Sequence, residues 1–133
     1  MTQRDVVFPP GRRALYERHH YSPAVRSNGF LFVSGQVGST DDGSPEPDLE
    51  TQVRRAFDNL NAILKAAGSS FEDVVDVTVF IVDPQSKFET IWNIVVSEFW
   101  GNAPHPTATA IGVTWLYGFD FEIKVIAKLP ENH

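Results

Sequence analysis

Glu122 is the residue of this 133-residue chain that most invites a chemical reading. It stands in the middle of the run Phe119 to Leu129, among residues that favour strands, where glutamate itself is disfavoured. Two explanations fit. Glu122 and Lys124, two positions apart on one strand face, pair loosely in solvent. Alternatively, a partner surface excludes water around the carboxylate, as a functional role would require.

Other candidate groups offer less. His19 and His20 are adjacent in a segment read as extended, so their side chains point to opposite faces and cannot grip one metal. His105 lies in a proline-flanked loop and His133 ends the chain, so no two histidines have ligand spacing. There is no cysteine, which removes thiolate nucleophiles, thiolate metal sites and disulfides. Neither a metal nor a cofactor is expected. The stretch Ser34-Gly35-Gln36-Val37-Gly38 is rich in glycine, but no helix follows it closely and no nucleotide-binding or nucleophile-elbow motif is present. Taken alone, it is a tight turn closing a strand.

The elements that must position these groups show clear periodicity. Leu49, Val53, Ala56, Phe57, Leu60, Leu64 and Ala67 recur at helical spacing, with Asp48 as N-cap and Gly68 as stop. Phe88, Ile91, Trp92, Val95 and Phe99 follow the same rule after Asp83-Pro84. Strands are expected at Phe30–Val33, Val74–Val82, Thr107–Trp115 and Phe119–Leu129. Within Val74–Val82, the residues Val75, Val77, Val79 and Ile81 should share one face. In the last strand Phe119, Phe121, Ile123, Val125, Ala127 and Leu129 should face a core, with Asp120, Glu122, Lys124 and Lys128 opposite. The turn-rich loop 39–47 is a connector inside one domain spanning residues 1–133. This order predicts an α+β fold: a mostly antiparallel six-stranded sheet with two helices on one face. The second face must be solvated or covered by another subunit.

Composition narrows the partners. The net charge is −6 and no basic cluster exceeds Arg12-Arg13, so a phosphate backbone is a poor partner and nucleic acid is not expected. No apolar run approaches the roughly 20 residues that cross a bilayer, and the start, Met1-Thr2-Gln3-Arg4-Asp5, lacks the pattern of a secretory leader. A cytoplasmic protein that handles a small molecule is the expectation.

Several segments together resemble the RidA/YjgF family: Tyr21-Ser22-Pro23, Phe32-Val33-Ser34-Gly35-Gln36-Val37-Gly38, Asn59-Leu60 through Ala66-Ala67-Gly68, Phe71-Glu72-Asp73-Val74-Val75, Val79-Phe80, Asn93, and Phe121-Glu122-Ile123. Phe8-Pro9-Pro10-Gly11-Arg12 and Gly112-Val113-Thr114-Trp115-Leu116 are similar to its YjgH branch. The resemblance implies a chorismate-mutase-like fold, a homotrimer and a small-molecule ligand in each inter-subunit cleft. It also implies hydrolysis of enamines and imines such as 2-aminoacrylate to keto acids and ammonia. By position it makes Glu122 the residue that places the attacking water and Ser34 its catalytic neighbour. Tyr21, Gly35 and Asn93 fall at substrate-binding or supporting positions.

One departure stands out. The family's deaminating members carry an arginine two residues after the cleft proline, where it grips the substrate carboxylate. Here that position is Ala108, and the loop before Glu122 is one residue shorter. Arg26 or Lys124 would have to supply the cation, or the ligand lacks a carboxylate and meets Trp115 and Tyr117 on a more apolar rim. A non-catalytic ligand-binding trimer is the alternative reading, and an endoribonuclease is a third.

Overall fold

The computed structural model describes residues 3–130. Their elements run β1 (Asp5–Val7), α1 (Arg13–His19), β2 (Ala24–Ser27), β3 (Phe30–Val33), β4 (Gln36–Val37) and α2 (Leu49–Ala66). They continue with a 3-10 turn (Phe71–Asp73), β5 (Val74–Val82), α3 (Pro84–Ile94), a π-helical turn (Val95–Phe99), β6 (Thr107–Val113) and β7 (Phe121–Lys128). The α+β expectation holds, with three α-helices among the described residues rather than the expected two, because the seven-residue α1 is too short to show a helical period.

One mixed sheet carries the fold, ordered β1-β2-β3-β7-β5-β6, with β4 also paired to β7. Every pairing is antiparallel except β5 with β6, which α3 connects as a crossover. The sheet has seven strands, not the expected six. The segments β1 and β4 are three and two residues long, too short to show a period of two in sequence.

The long helix α2 begins as its sequence dictates. The Asp48 carboxylate accepts the Thr51 backbone N–H at 2.8 Å, satisfying one of the first-turn donors. Its buried stripe of Val53, Ala56, Phe57, Leu60, Ile63 and Leu64 lies over Phe121, Ile123, Val125 and Ala127 of β7, which alternate with exposed or half-buried neighbours. This is the core. The second helical segment ends its regular turns at Ile94 and widens into the π-turn, which carries Phe99 inward to stack on Phe57 at 4.2 Å between ring centres. Phe88, expected on the buried face, is exposed instead and stacks on Trp92.

Three local expectations are corrected. Val75 does not share the buried face of Val77, Val79 and Ile81. A register shift between Val74 and Asp76 against β7 turns Val75 outward. Asp120 does not share the face of Glu122. It precedes β7 and reaches back to the helices, where Lys87 Nζ donates to it at 3.0 Å and its own N–H donates to Gln52 at 3.0 Å. His19 and His20 are not in an extended segment: His19 ends α1, and His20 caps it in the left-handed region at φ 64°. His133 lies outside the described residues. Among the described residues no cluster of three metal-ligating side chains forms, and no helix is long and apolar enough to cross a membrane.

Candidate functional site

The helices cover one face of the sheet and leave the other open. On that open face, the register sets Val37, Glu122, Phe80 and Ile111 in one row, with Lys124, Thr78 and Thr109 in the next. Phe32 and Ile126 form a further row beside them. Asp76 pairs with Ile126 on the same face and accepts from Thr107 Oγ1 at 2.7 Å, so Glu122 is the carboxylate flanked by the apolar Val37 and Phe80. Phe30 and Phe32 of β3 are 40% and 45% exposed and Ile111 of β6 is 41% exposed, large apolar side chains left uncovered near two edges of this face.

Glu122 is half-buried between β4 and β5. Its carboxylate lies directly against the Cα of Gly35, where any side chain would overlap it. A glycine is therefore required at 35 for the close approach. Burial pushes the Glu122 carboxyl above its ordinary value, and the Lys124 ammonium pulls it partly back. The loose Glu122–Lys124 ion pair does not form. The Lys124 ammonium donates instead to the Val33 carbonyl at 3.3 Å.

Ser34 and Tyr21 reach the same corner. Ser34 Oγ donates to the Ser22 carbonyl at 2.6 Å, and the Ser34 N–H donates to the Pro23 carbonyl at 2.8 Å. These two bonds lock the strand end that bears Gly35 onto the segment that follows Tyr21. The Tyr21 phenol is pushed up by burial, by Tyr16 and by the nearby Glu122 charge, and Arg12 lowers it in part. Glu122, Gly35, Ser34 and Tyr21 therefore come together in one chain.

Three other sequence candidates do not join them. Asn93 is exposed on α3, in the helical layer. Ala108 pairs in register with Val77, a core-facing residue, while Glu122 pairs with Phe80 on the open face. Two positions along the same face of β6, Gly112 meets the Pro84 ring of α3, which confirms that Ala108 lies on the helix side of this edge strand. Within one chain, Ala108 and Glu122 sit on opposite faces. Trp115 occupies the loop between β6 and β7, its ring tilted 42° against Tyr117 at 3.9 Å between centres and 61% exposed, with Tyr117 79% exposed. Arg26, weighed as a replacement cation, is engaged with Asp5 at 3.0 Å.

Two participants escaped the sequence reading. Tyr16 is buried in α1, and Gln36 is buried in β4. Gln36 Nε2 donates to the Tyr16 hydroxyl at 3.1 Å and to the Ser34 carbonyl at 3.1 Å, directly beneath the Ser34–Gly35 corner. The seven residues of α1 are too few for a helical period to stand out.

The raised Glu122 carboxyl has a consequence for stability. A carboxyl that binds its proton more tightly in the folded state favours folding most when protonated, and that advantage is lost as pH rises through the folded value. Glu122→Gln should therefore gain stability relative to the parent chain as pH climbs from 4 to 8. Melting curves across that range check the sign, and a constant difference between the two proteins would contradict it.

Comparison with known proteins bears on the sequence and the fold as a whole. The sequence model of the family described as Endoribonuclease L-PSP matches residues 11–129. The chain is 59% identical over 132 residues to the RutC family protein YjgH of Escherichia coli, covering 99% of this chain and 100% of that one. It is 37% identical over 109 residues to a RutC family protein of Aquifex aeolicus, covering 80% and 86%. The solved structure of a protein YjgH superposes with a TM-score of 0.92 at 57% identity, over 98% of this chain and 100% of that one. RidA from an Antarctic Psychrobacter gives 0.75 at 31% identity, over 82% and 88%. This chain therefore belongs to the RidA/YjgF family.

Proposed function

We propose that this protein is an imine or enamine hydrolase whose site is completed between copies of the chain in a homotrimer. The observation that carries the reading is Glu122: a half-buried carboxylate with a raised pKa, packed on a bare backbone and flanked by Val37 and Phe80 on a sheet face that no helix covers. A second copy covering Phe30, Phe32 and Ile111 would exclude water from that carboxylate and leave a cleft above it. The same association is what brings an edge such as Ala108 toward a neighbouring Glu122.

In the reaction, Glu122 accepts a proton from water as the water oxygen bonds to the imine carbon. The imine nitrogen takes up a proton, giving a neutral carbinolamine. The carbinolamine hydroxyl then gives its proton to the nitrogen by way of Glu122 as the C–N bond breaks and the carbonyl forms, so ammonia leaves; the net change is imine plus water to carbonyl compound plus ammonia. Transient negative charge is met by the Tyr21 phenol, and the Ser34 oxygen, whose proton goes to the Ser22 carbonyl, can accept from the protonated nitrogen. Ala108 offers no cation, so the preferred substrates carry no carboxylate held there, and Trp115 and Tyr117 supply an apolar rim. The endoribonuclease reading is disfavoured by the charge of −6 and by the engagement of Arg13, Arg26, Arg54, Arg55 and Lys87 in ion pairs.

The shared cleft is tested by Phe32→Arg, which places a charge on the covered face. The variant should run as a monomer in light scattering and lose ammonia release in the same preparation. A folded monomer with full turnover would put the whole site within one chain and overturn the shared-cleft reading.

A further inference from the structure

The segment before Tyr21 has a construction that the site alone does not require. α1 ends in a left-handed cap at His20, with the His20 N–H donating to the Glu17 carbonyl and the Tyr21 N–H donating to the Tyr16 carbonyl, both at 3.4 Å. The second of these is the six-to-one bond of a Schellman ending, which fixes the direction in which the chain leaves a helix. The Tyr16 ring then meets the Tyr21 ring edge-on at 5.0 Å and 74°. On its other side, the Tyr16 hydroxyl is bonded to buried Gln36, which also holds the Ser34 carbonyl.

The start of α1 is anchored as firmly. Arg12 donates to Ser39 Oγ at 2.9 Å, to the Ser39 carbonyl at 3.2 Å and to Asn59 Oδ1 at 3.3 Å, tying the helix to the β4 turn and to α2. Buried polar networks of this kind are costly unless every member is satisfied, and here no buried side-chain nitrogen or oxygen among the described residues lacks a partner.

We propose that Tyr16 is a positioning residue: through its edge-on ring and its hydrogen bond to Gln36, it aims the Tyr21 phenol at Glu122 and holds the Ser34–Gly35 corner in register with it. Tyr16 touches no substrate in this scheme. It acts through Tyr21 on one arm and Ser34 on the other, so a single buried side chain sets the spacing of the three groups around Glu122. The inference rests on Tyr21 and Glu122 forming one site, and not on the reaction assigned to it. The charged and titratable groups facing Tyr21 are Glu122, Tyr16 and Arg12.

The test is spectroscopic and needs no substrate. The full chain is labelled with [ζ-13C]tyrosine, its three tyrosine signals are assigned by Tyr→Phe variants, and each is followed from pH 3 to pH 8. In the parent protein the Tyr21 signal should move with the titration of Glu122, and Glu122→Gln should abolish that movement. Tyr16→Leu should reduce it by at least half while an amide spectrum shows the fold intact. Tyr16→Phe, which keeps the ring and loses the hydroxyl, should cause a smaller reduction, and it decides the matter if Tyr16→Leu does not fold. A parental amplitude in the folded Tyr16 variants would overturn the proposal. So would a Tyr21 signal that never responds to Glu122. If the response behaves as expected and no imine is turned over, the positioning role stands and the proposed reaction falls.

Discussion

Glu122→Gln should lower imine turnover by about 10²–10⁴-fold, the usual contribution of a positioned general base, while leaving the protein folded and associated. The amide keeps the shape of the side chain and its packing on Gly35, so what is lost is the ability to take a proton from water. Substrate binding should change little, and the deficit should appear in kcat. A rise in KM with kcat unchanged would mean that Glu122 only binds the ligand. The same substitution is the one expected to stabilise the fold at neutral pH, because it removes a half-buried charge. Loss of activity together with gain in stability is hard to attribute to unfolding.

Ala108→Arg should raise turnover of 2-aminoacrylate by tenfold or more. Each charge-assisted hydrogen bond to a carboxylate contributes about 1.5–3 kcal/mol, and every 1.4 kcal/mol is about a factor of ten. The structure adds a condition to this expectation. Position 108 lies on the helix side of the edge strand, away from Glu122 of its own chain. The new guanidinium can serve only a Glu122 from a neighbouring copy. The gain should therefore be absent when Ala108→Arg is combined with Phe32→Arg. A correctly folded, associated Ala108→Arg protein that stays inert on 2-aminoacrylate would show that the shortened loop at 114–120 closes the position as well.

Much of this was readable in the residues. The strict alternation of Phe121, Ile123, Val125 and Ala127 placed Glu122 on the opposite face before any coordinates. Asp48 and the stripe from Val53 to Leu64 defined α2 to within a residue. What was hidden depended on contacts distant in sequence or on elements too short to have a period. The β-bulge that exposes Val75 exists only in the pairing with β7. Asp120 follows the alternation of its strand in sequence, yet Lys87 and Gln52, far from it in sequence, draw it to the helices. Gln36 reads as part of a glycine-rich turn, and only its register with Ile123 puts its amide beneath Ser34. The carboxylate itself is visible in the sequence; Gly35 reads there as a turn residue and, by resemblance, as a substrate-binding position, but not as a requirement of Glu122.

The measurement that bears most directly on the central claim is ammonia release from a panel of imines generated in situ, by an amino-acid oxidase for those that carry a carboxylate and by an amine oxidase for those that do not. The associated parent protein should accelerate hydrolysis above the spontaneous rate, with imines lacking a carboxylate turned over better than 2-aminoacrylate. A properly folded, associated protein that leaves every imine in the panel at its spontaneous rate would contradict the account and make the cleft a binding site without chemistry.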